Sequence, residues 1–210
     1  MTTEGGPLHD VTVVDITSTL SGPYCSLLLA QLGVSVVKVE PPQGDVIRAA
    51  GDIRRSGLGP TFLTVTRGKQ SIVLDLKSTP GRDAPDKLID RSDVFLHNMR
   101  PDAMLQLGID PATVLAWNPT IVYCHIVGYV SSGPYRDKPA YDDVVQGVTG
   151  VAAVQGGPGE PACVRTQIAD KTTGLMALGV IRAALHERSV SGQGQAVECP
   201  SAAREDRASA

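Results

Sequence analysis

The chain has 210 residues, 42% hydrophobic and 20% charged, which is ordinary globular composition with enough apolar material for one sizeable core. Its 19 basic and 22 acidic residues leave a formal net charge of −3, and aromatics make up only 4%. That balance excludes a generic polyanion-binding surface and a base-stacking platform, so nucleic acid is not an expected partner.

The N-terminus, Met1 to Gly6, has no basic stretch followed by an apolar core, and no apolar run approaches the roughly 18 residues of a membrane span. The expected location is the cytoplasm, without membrane contact. The cysteines, Cys25, Cys124, Cys163 and Cys199, are far apart and form no CxxC pair. Zinc spacing is therefore absent, and free buried thiols are expected.

Val11 to Ile16 is a short run rich in β-branched residues and reads as a buried strand. A loop of small and hydroxyl residues follows from Thr17 to Gly22. Pro23 suits a helix first turn, Tyr24 to Leu32 is helical in pattern, and Gly33 ends it. Val34 to Glu40 is a second strand, stopped by Pro41-Pro42. Strand, helix and strand at this spacing make a βαβ unit and call for a parallel sheet. Residues 41 to 61 read as an irregular excursion. Ser71 to Lys77 is a third strand, Thr79-Pro80 opens a helix to about Ile89, and Asp93 to Asn98 is a fourth strand. Asp102 to Leu107 and Pro111 to Trp117 are short helices, and Ile121 to Val127 is a fifth strand. The alternation predicts an open, mostly parallel, Rossmann-like α/β sheet flanked by helices.

Beyond Gly133 a loop with Pro134, Arg136, Lys138 and Pro139 leads to a helix over Asp142 to Val148, and residues 156 to 161 form a turn. A last strand covers Ala196 to Glu198. The tail from Cys199 to Ala210 lacks apolar periodicity and is expected to be disordered or outside the fold.

The stretch Gln167 to Gly174 puts a carboxylate, Asp170, where a helix begins. An Asp there serves either as a plain N-cap or as an ionised nucleophile, since free backbone N–H groups and the helix dipole favour its charged form. Lys38, Arg48, Arg67, Lys69, Arg100, Arg136 and Lys138 fall in loops beside strand ends, where an open α/β sheet has its ligand crevice. They are read either as a phosphate-holding group or as solvated surface charge. No GxGxxG, GxSxG, HExxH or P-loop pattern is present, and His97 and His125, lying inside strands, read as packed core residues.

A set of ordered motifs carries a resemblance. They are Ser21-Gly22-Pro23; Leu32 to Pro41 with Gly44-Asp45; Arg67 to Leu76; Asn98-Met99-Arg100-Pro101; Leu107-Gly108; and Asn118-Pro119. Gly128-Tyr129 with Gly133-Pro134, Pro139-Ala140-Tyr141-Asp142, Ala169-Asp170 with Gly174, and Gly192 to Gln195 complete it. Over residues 8 to 198 the chain resembles the family III CoA-transferases, whose relatives include α-methylacyl-CoA racemases. The resemblance implies CoA transfer between an acyl-CoA and a carboxylate acceptor, with Asp170 as nucleophile through aspartyl anhydride and aspartyl-CoA thioester stages. It implies Tyr141 as a hydroxyl lining the site. Thr19, Leu20, Ser21, Lys69, Asn98, Arg100 and Lys138 become the expected contacts of coenzyme A, a substrate rather than a resident cofactor; no metal is implied. Leu20 replaces a glutamine of the formyl-CoA enzyme, which argues against oxalate as acceptor. Family members are about twice this length, with a second small domain expected to be absent here, and form interlocked dimers. A homodimer or a complementing chain is therefore the expected partner. The alternatives are an inactive CoA-binding or dimerising fragment and a racemase-like epimerase; the racemase histidine has no counterpart near Tyr141.

Overall fold

A computed structural model describes residues 5–78 and 84–202. Six strands form its sheet: β1 Thr12–Asp15, β2 Ser35–Glu40, β3 Gln70–Val73, β4 Val94–His97, β5 Val122–Tyr129 and β6 Gln195–Ala202. Their order is β3-β2-β1-β4-β5-β6, and every neighbouring pair runs parallel. This is the strand order of a doubly wound fold, with its switch point between β1 and β4.

Alternating side chains along the strands feed two apolar layers. One face carries Val13, Val36, Leu96, Cys124 and Ile126. It is covered by α1, Ser21–Gln31, and α8, Ile168–Ser191, which contributes Ala177, Ile181, Ala184 and Leu185. The other face carries Val14, Ile16, Val39, Phe95 and Tyr123. It meets Ile89 of α3 (Ala84–Asp90), Met104 of α4 (Pro101–Leu107) and Val114 of α5 (Pro111–Trp117). Where α8 crosses the start of α1, a Cβ added at Gly174 would lie 2.6 Å from the carbonyl oxygen of Ser21. Only glycine permits that crossing, and it seats the first turns of α8 on the loop after β1.

The structure departs from the sequence pattern at several places. The excursion after β2 contains a 3₁₀ turn, Val46–Ala49, and is followed by a short α2, Pro60–Val65. Their apolar residues Ile47, Phe62 and Val65 close a small cluster with Leu20, a tertiary contact that no local periodicity announces. β3 spans Gln70–Val73 rather than Ser71–Lys77, because its register with β2 ends where Val73 meets Glu40, the last residue of β2. A short α7, Val151–Gly156, follows α6, Asp142–Val148. β6 continues to Ala202, so the expected end of the fold at Glu198 is corrected. Cys199, Pro200 and Ala202 are paired with Ile126, Val127 and Tyr129 of a longer β5, and Cys199 is buried. Pro200 is tolerated because β6 is an edge strand. The expected helix opening at Thr79-Pro80 and the tail from Ala203 to Ala210 lie outside the described residues. Cys25, Cys124 and Cys199 are buried free thiols as expected, whereas Cys163 is exposed. No helix among the described residues is long and apolar enough to cross a membrane.

Candidate active site

The carboxyl ends of β1 and β4 open into the loop Thr17–Leu20 and the segment after His97, which is where an α/β sheet places its ligand crevice. The loop rests on a buried polar frame. Asp15 accepts from the Thr17 amide (2.8 Å), the Thr17 hydroxyl (2.5 Å) and the Ser26 hydroxyl (2.5 Å), and pairs with Lys69 at 3.3 Å. Burial pushes its carboxyl up, but Lys69, Lys38 and the two hydroxyls outweigh that and hold it below the ordinary value. Lys38 donates to Asp45 and to the Thr17 carbonyl, each at 2.8 Å. Asp45 also accepts from the amides of Thr19 and Ile47. Asn98 clamps the loop from β4: its amide oxygen accepts from the Ser18 N–H at 3.0 Å, and its amide nitrogen donates to the Ser18 carbonyl at 2.8 Å. Thr19, held at φ +69°, is the exposed apex. A threonine in the left-handed region is strained, and this frame supplies the constraint.

The second wall is built from α6 and α8. Ala140 and Ala169 pack into one apolar cluster with Tyr129, Val145 and Ala202, which brings the backbones of their chain neighbours Tyr141 and Asp170 near each other. Tyr141, just before α6, is 71% exposed. Asp170 is the third residue of α8, not its N-cap. That position is Gln167, which offers no side-chain cap. The Asp170 carboxylate accepts no hydrogen bond from any described residue, so the plain capping role is not the one it plays. Its own backbone N–H donates instead to Asp142 on α6, at 2.9 Å. Burial first, and the Asp142 charge second, push the Asp170 carboxyl up to about 6. The helix start alone favours the ionised form, so the tertiary surroundings reverse the direction the sequence pattern implied. The carboxylate is still mainly ionised at neutral pH, half-buried and without a bonded partner. Those properties suit a nucleophile.

Several expected contacts sit elsewhere. The Lys69 ammonium is buried under the loop, donating to the Pro23 carbonyl, the Ser26 hydroxyl and Asp15, so it is not presented to a ligand. The Leu20 side chain is buried among Ile47, Phe62 and Val65. Ser21 is buried beneath the α1–α8 crossing. Asn98 uses both ends of its amide on Ser18. Thr19, Arg100 and Lys138 are exposed and open to solvent. The basic group therefore divides. Lys38 and Lys69 are internal, and Arg48 makes a two-pronged contact with Glu40 while its guanidinium lies 3.8 Å over the Phe62 ring. His97 is buried as expected and stacks on half-buried His125 with ring centroids 4.2 Å apart. Both lie on the sheet face opposite α8, away from Asp170. The sequence reading missed Asp15, Asp45 and Gln146. Only the i, i+4 spacing of Asp142 and Gln146 on a helix was a usable local signal.

The model of CoA-transferase family III matches residues 8–205. The chain belongs to that family. Its relatives include the succinate–glutarate CoA-transferase of Agrobacterium fabrum, 35% identical over 91% of this chain and 50% of the relative. The formyl-CoA:oxalate CoA-transferase of Streptomyces avermitilis is 38% identical over 90% of this chain and 46% of its own. A CAIB/BAIF family protein from Brucella suis has a similar structure, with a TM-score of 0.89 and 33% identity over 94% of this chain and 53% of that one. The chain thus spans about half the length of the family III relatives it matches.

Proposed function

We propose that this chain carries the nucleophile-bearing part of a transferase that moves coenzyme A between carboxylic acids. The observation that carries the reading is Asp170: an unbonded, half-buried carboxylate in the first turn of α8, the helix that crosses the start of α1, in a chain of this family. Its oxygen attacks the thioester carbonyl; the C–S bond breaks, CoA leaves as thiolate, and an acyl–aspartyl anhydride remains. The thiolate then attacks the aspartyl carbonyl and releases the first acid as carboxylate, leaving an aspartyl-CoA thioester. The acceptor carboxylate repeats the exchange in reverse and regenerates Asp170, with no net proton or electron change. Tyr141 lines the site. Thr19, Arg100 and Lys138 are the ligand-facing groups for CoA, and the Ser18–Ser21 backbone is shaped by Asn98 and Asp45. Proximity is the main contribution of such a frame. The acceptors to try first are small dicarboxylates, the class in the relatives' names. A second copy or a complementing chain supplies the remaining walls, a reading supported by the twofold greater length of the relatives.

The test is a single turnover with an acyl-CoA and an acceptor acid labelled with heavy oxygen in its carboxylate. Product acyl-CoA together with one heavy oxygen in the Asp170 peptide is expected. Product without label in Asp170 overturns the nucleophile assignment. CoA binding by calorimetry with no product favours the binding-only fragment.

A further inference from the structure

The first turn of α8 is capped by a residue from another helix, and a buried amide holds that residue in place. Asp142 divides its carboxylate: Oδ1 accepts from the Asp170 N–H at 2.9 Å, and Oδ2 accepts from the Gln146 side-chain N–H at 2.6 Å. Gln146 is 1% exposed, and its amide oxygen accepts from the Val164 N–H at 2.7 Å. One side chain thereby joins α6, the segment entering α8, and the carboxylate that caps α8. A buried primary amide with its partners made has one favourable orientation, because the flipped amide would set donor against donor at Val164 and acceptor against acceptor at Asp142.

We propose that Gln146 is a positioning residue: it fixes the orientation of Asp142, which in turn fixes the backbone of Asp170 in the first turn of α8. The proposal deepens the transferase reading, since it concerns how the nucleophile is aimed. Three observations support it. Gln167 offers α8 no side-chain cap, so the Asp142 oxygen does that work. The Asp170 side chain is left with no capping duty and is free to react. The charge that acts on the Asp170 carboxyl is that of Asp142 on α6, while Lys171 on α8 itself is turned to the Thr166 hydroxyl, to which it donates at 2.7 Å. The Asp142 link is thus the hydrogen bond by which α6 orients the Asp170 backbone.

The experiment is NMR on the full chain, free of substrate, reading the Asp170 amide resonance and its hydrogen exchange. Gln146→Leu is expected to shift that resonance upfield and to speed its exchange roughly five- to tenfold, the loss of about one hydrogen bond, while the amides of Ala177 to Ala184 keep theirs. Asp142→Asn alone sets two donors face to face and has the same effect. The double variant Asp142→Asn with Gln146→Glu reverses the donor and acceptor between the two side chains and keeps the acceptors for Asp170 and Val164, so it restores the native resonance. A role in packing alone does not show this rescue. Single variants that leave the Asp170 amide unchanged, or a folded double variant that fails to restore it, overturn the proposal. If Gln146→Leu does not fold, the Asp142 single and double variants decide the matter. No acyl-CoA is needed, so a chain without transferase activity still gives an answer.

Discussion

Asp15 and Asp170 are the same residue type placed in opposite electrostatic settings. Asp15 ends β1 fully buried, between Lys69, Lys38, Ser26 and Thr17, and its carboxyl is held low. Asp170 opens α8 half-buried, and burial together with the Asp142 charge pushes its carboxyl up to about 6. The first arrangement makes a charge inert by surrounding it with donors. The second leaves a charge reactive by withholding them. The frame around Asp15 shapes the floor of the crevice, and in our proposal the corner around Asp170 does the chemistry there.

The largest test of this contrast is Asp15→Ala. It strands the buried Lys69 ammonium without its partner and is expected to cost about 3–5 kcal/mol in urea unfolding. A loss below about 1 kcal/mol would show that charge does not hold the floor. Next comes Gly174→Val, whose Cβ lands 2.6 Å from the Ser21 carbonyl oxygen. Forcing α8 off α1 should cost roughly 1–3 kcal/mol, read in the same unfolding experiment. Asp110→Ala sharpens the comparison of caps. Asp110 accepts from the amides of Ala112 and Thr113, capping α5 from its own sequence. Its loss should cost about 1 kcal/mol and leave the Asp170 amide signals untouched.

The smallest effect has the opposite sign. Asp170→Asn is expected to stabilise the fold near pH 8. The folded carboxyl titrates at about 6, above its ordinary 3.8, so it favours folding while protonated. That advantage is complete below pH 3.8 and is lost as pH rises through about 6. After allowance for solvent screening of a half-exposed group, the gain at pH 8 is about 1 kcal/mol, or roughly 2–4 °C in melting temperature. It should vanish near pH 4. Melting curves at the two pH values check it; equal effects at both would remove the account of Asp170 as a carboxyl raised by burial and by the Asp142 charge.

Much of the sheet was legible because β1, β2, β4 and β5 are runs of β-branched and apolar residues separated by helical patterns. The short α2 and α7 were not, since their stability lies in contacts such as Phe62 with Leu20 and Ile47. The end of β6 was hidden because its pairing depends on how far β5 extends, and Pro200 reads locally as a break. The candidate nucleophile was legible as a carboxylate at a helix start, but its setting was not. Its neighbour Asp142 lies 28 residues away in sequence. Lys69 was expected to contact coenzyme A from the family resemblance; its partner Asp15 is 54 residues distant, and only the fold brings the two together.

The central claim is that Asp170 takes up the acyl group or CoA directly. Hydroxylamine added with an acyl-CoA intercepts an aspartyl anhydride or thioester as a hydroxamate, which peptide mass spectrometry assigns to a residue. The account predicts the adduct on Asp170 alone, absent from Asp170→Asn, with a yield that rises as pH passes through about 6. An unmodified Asp170 at saturating acyl-CoA, or an adduct that persists in Asp170→Asn, would contradict it.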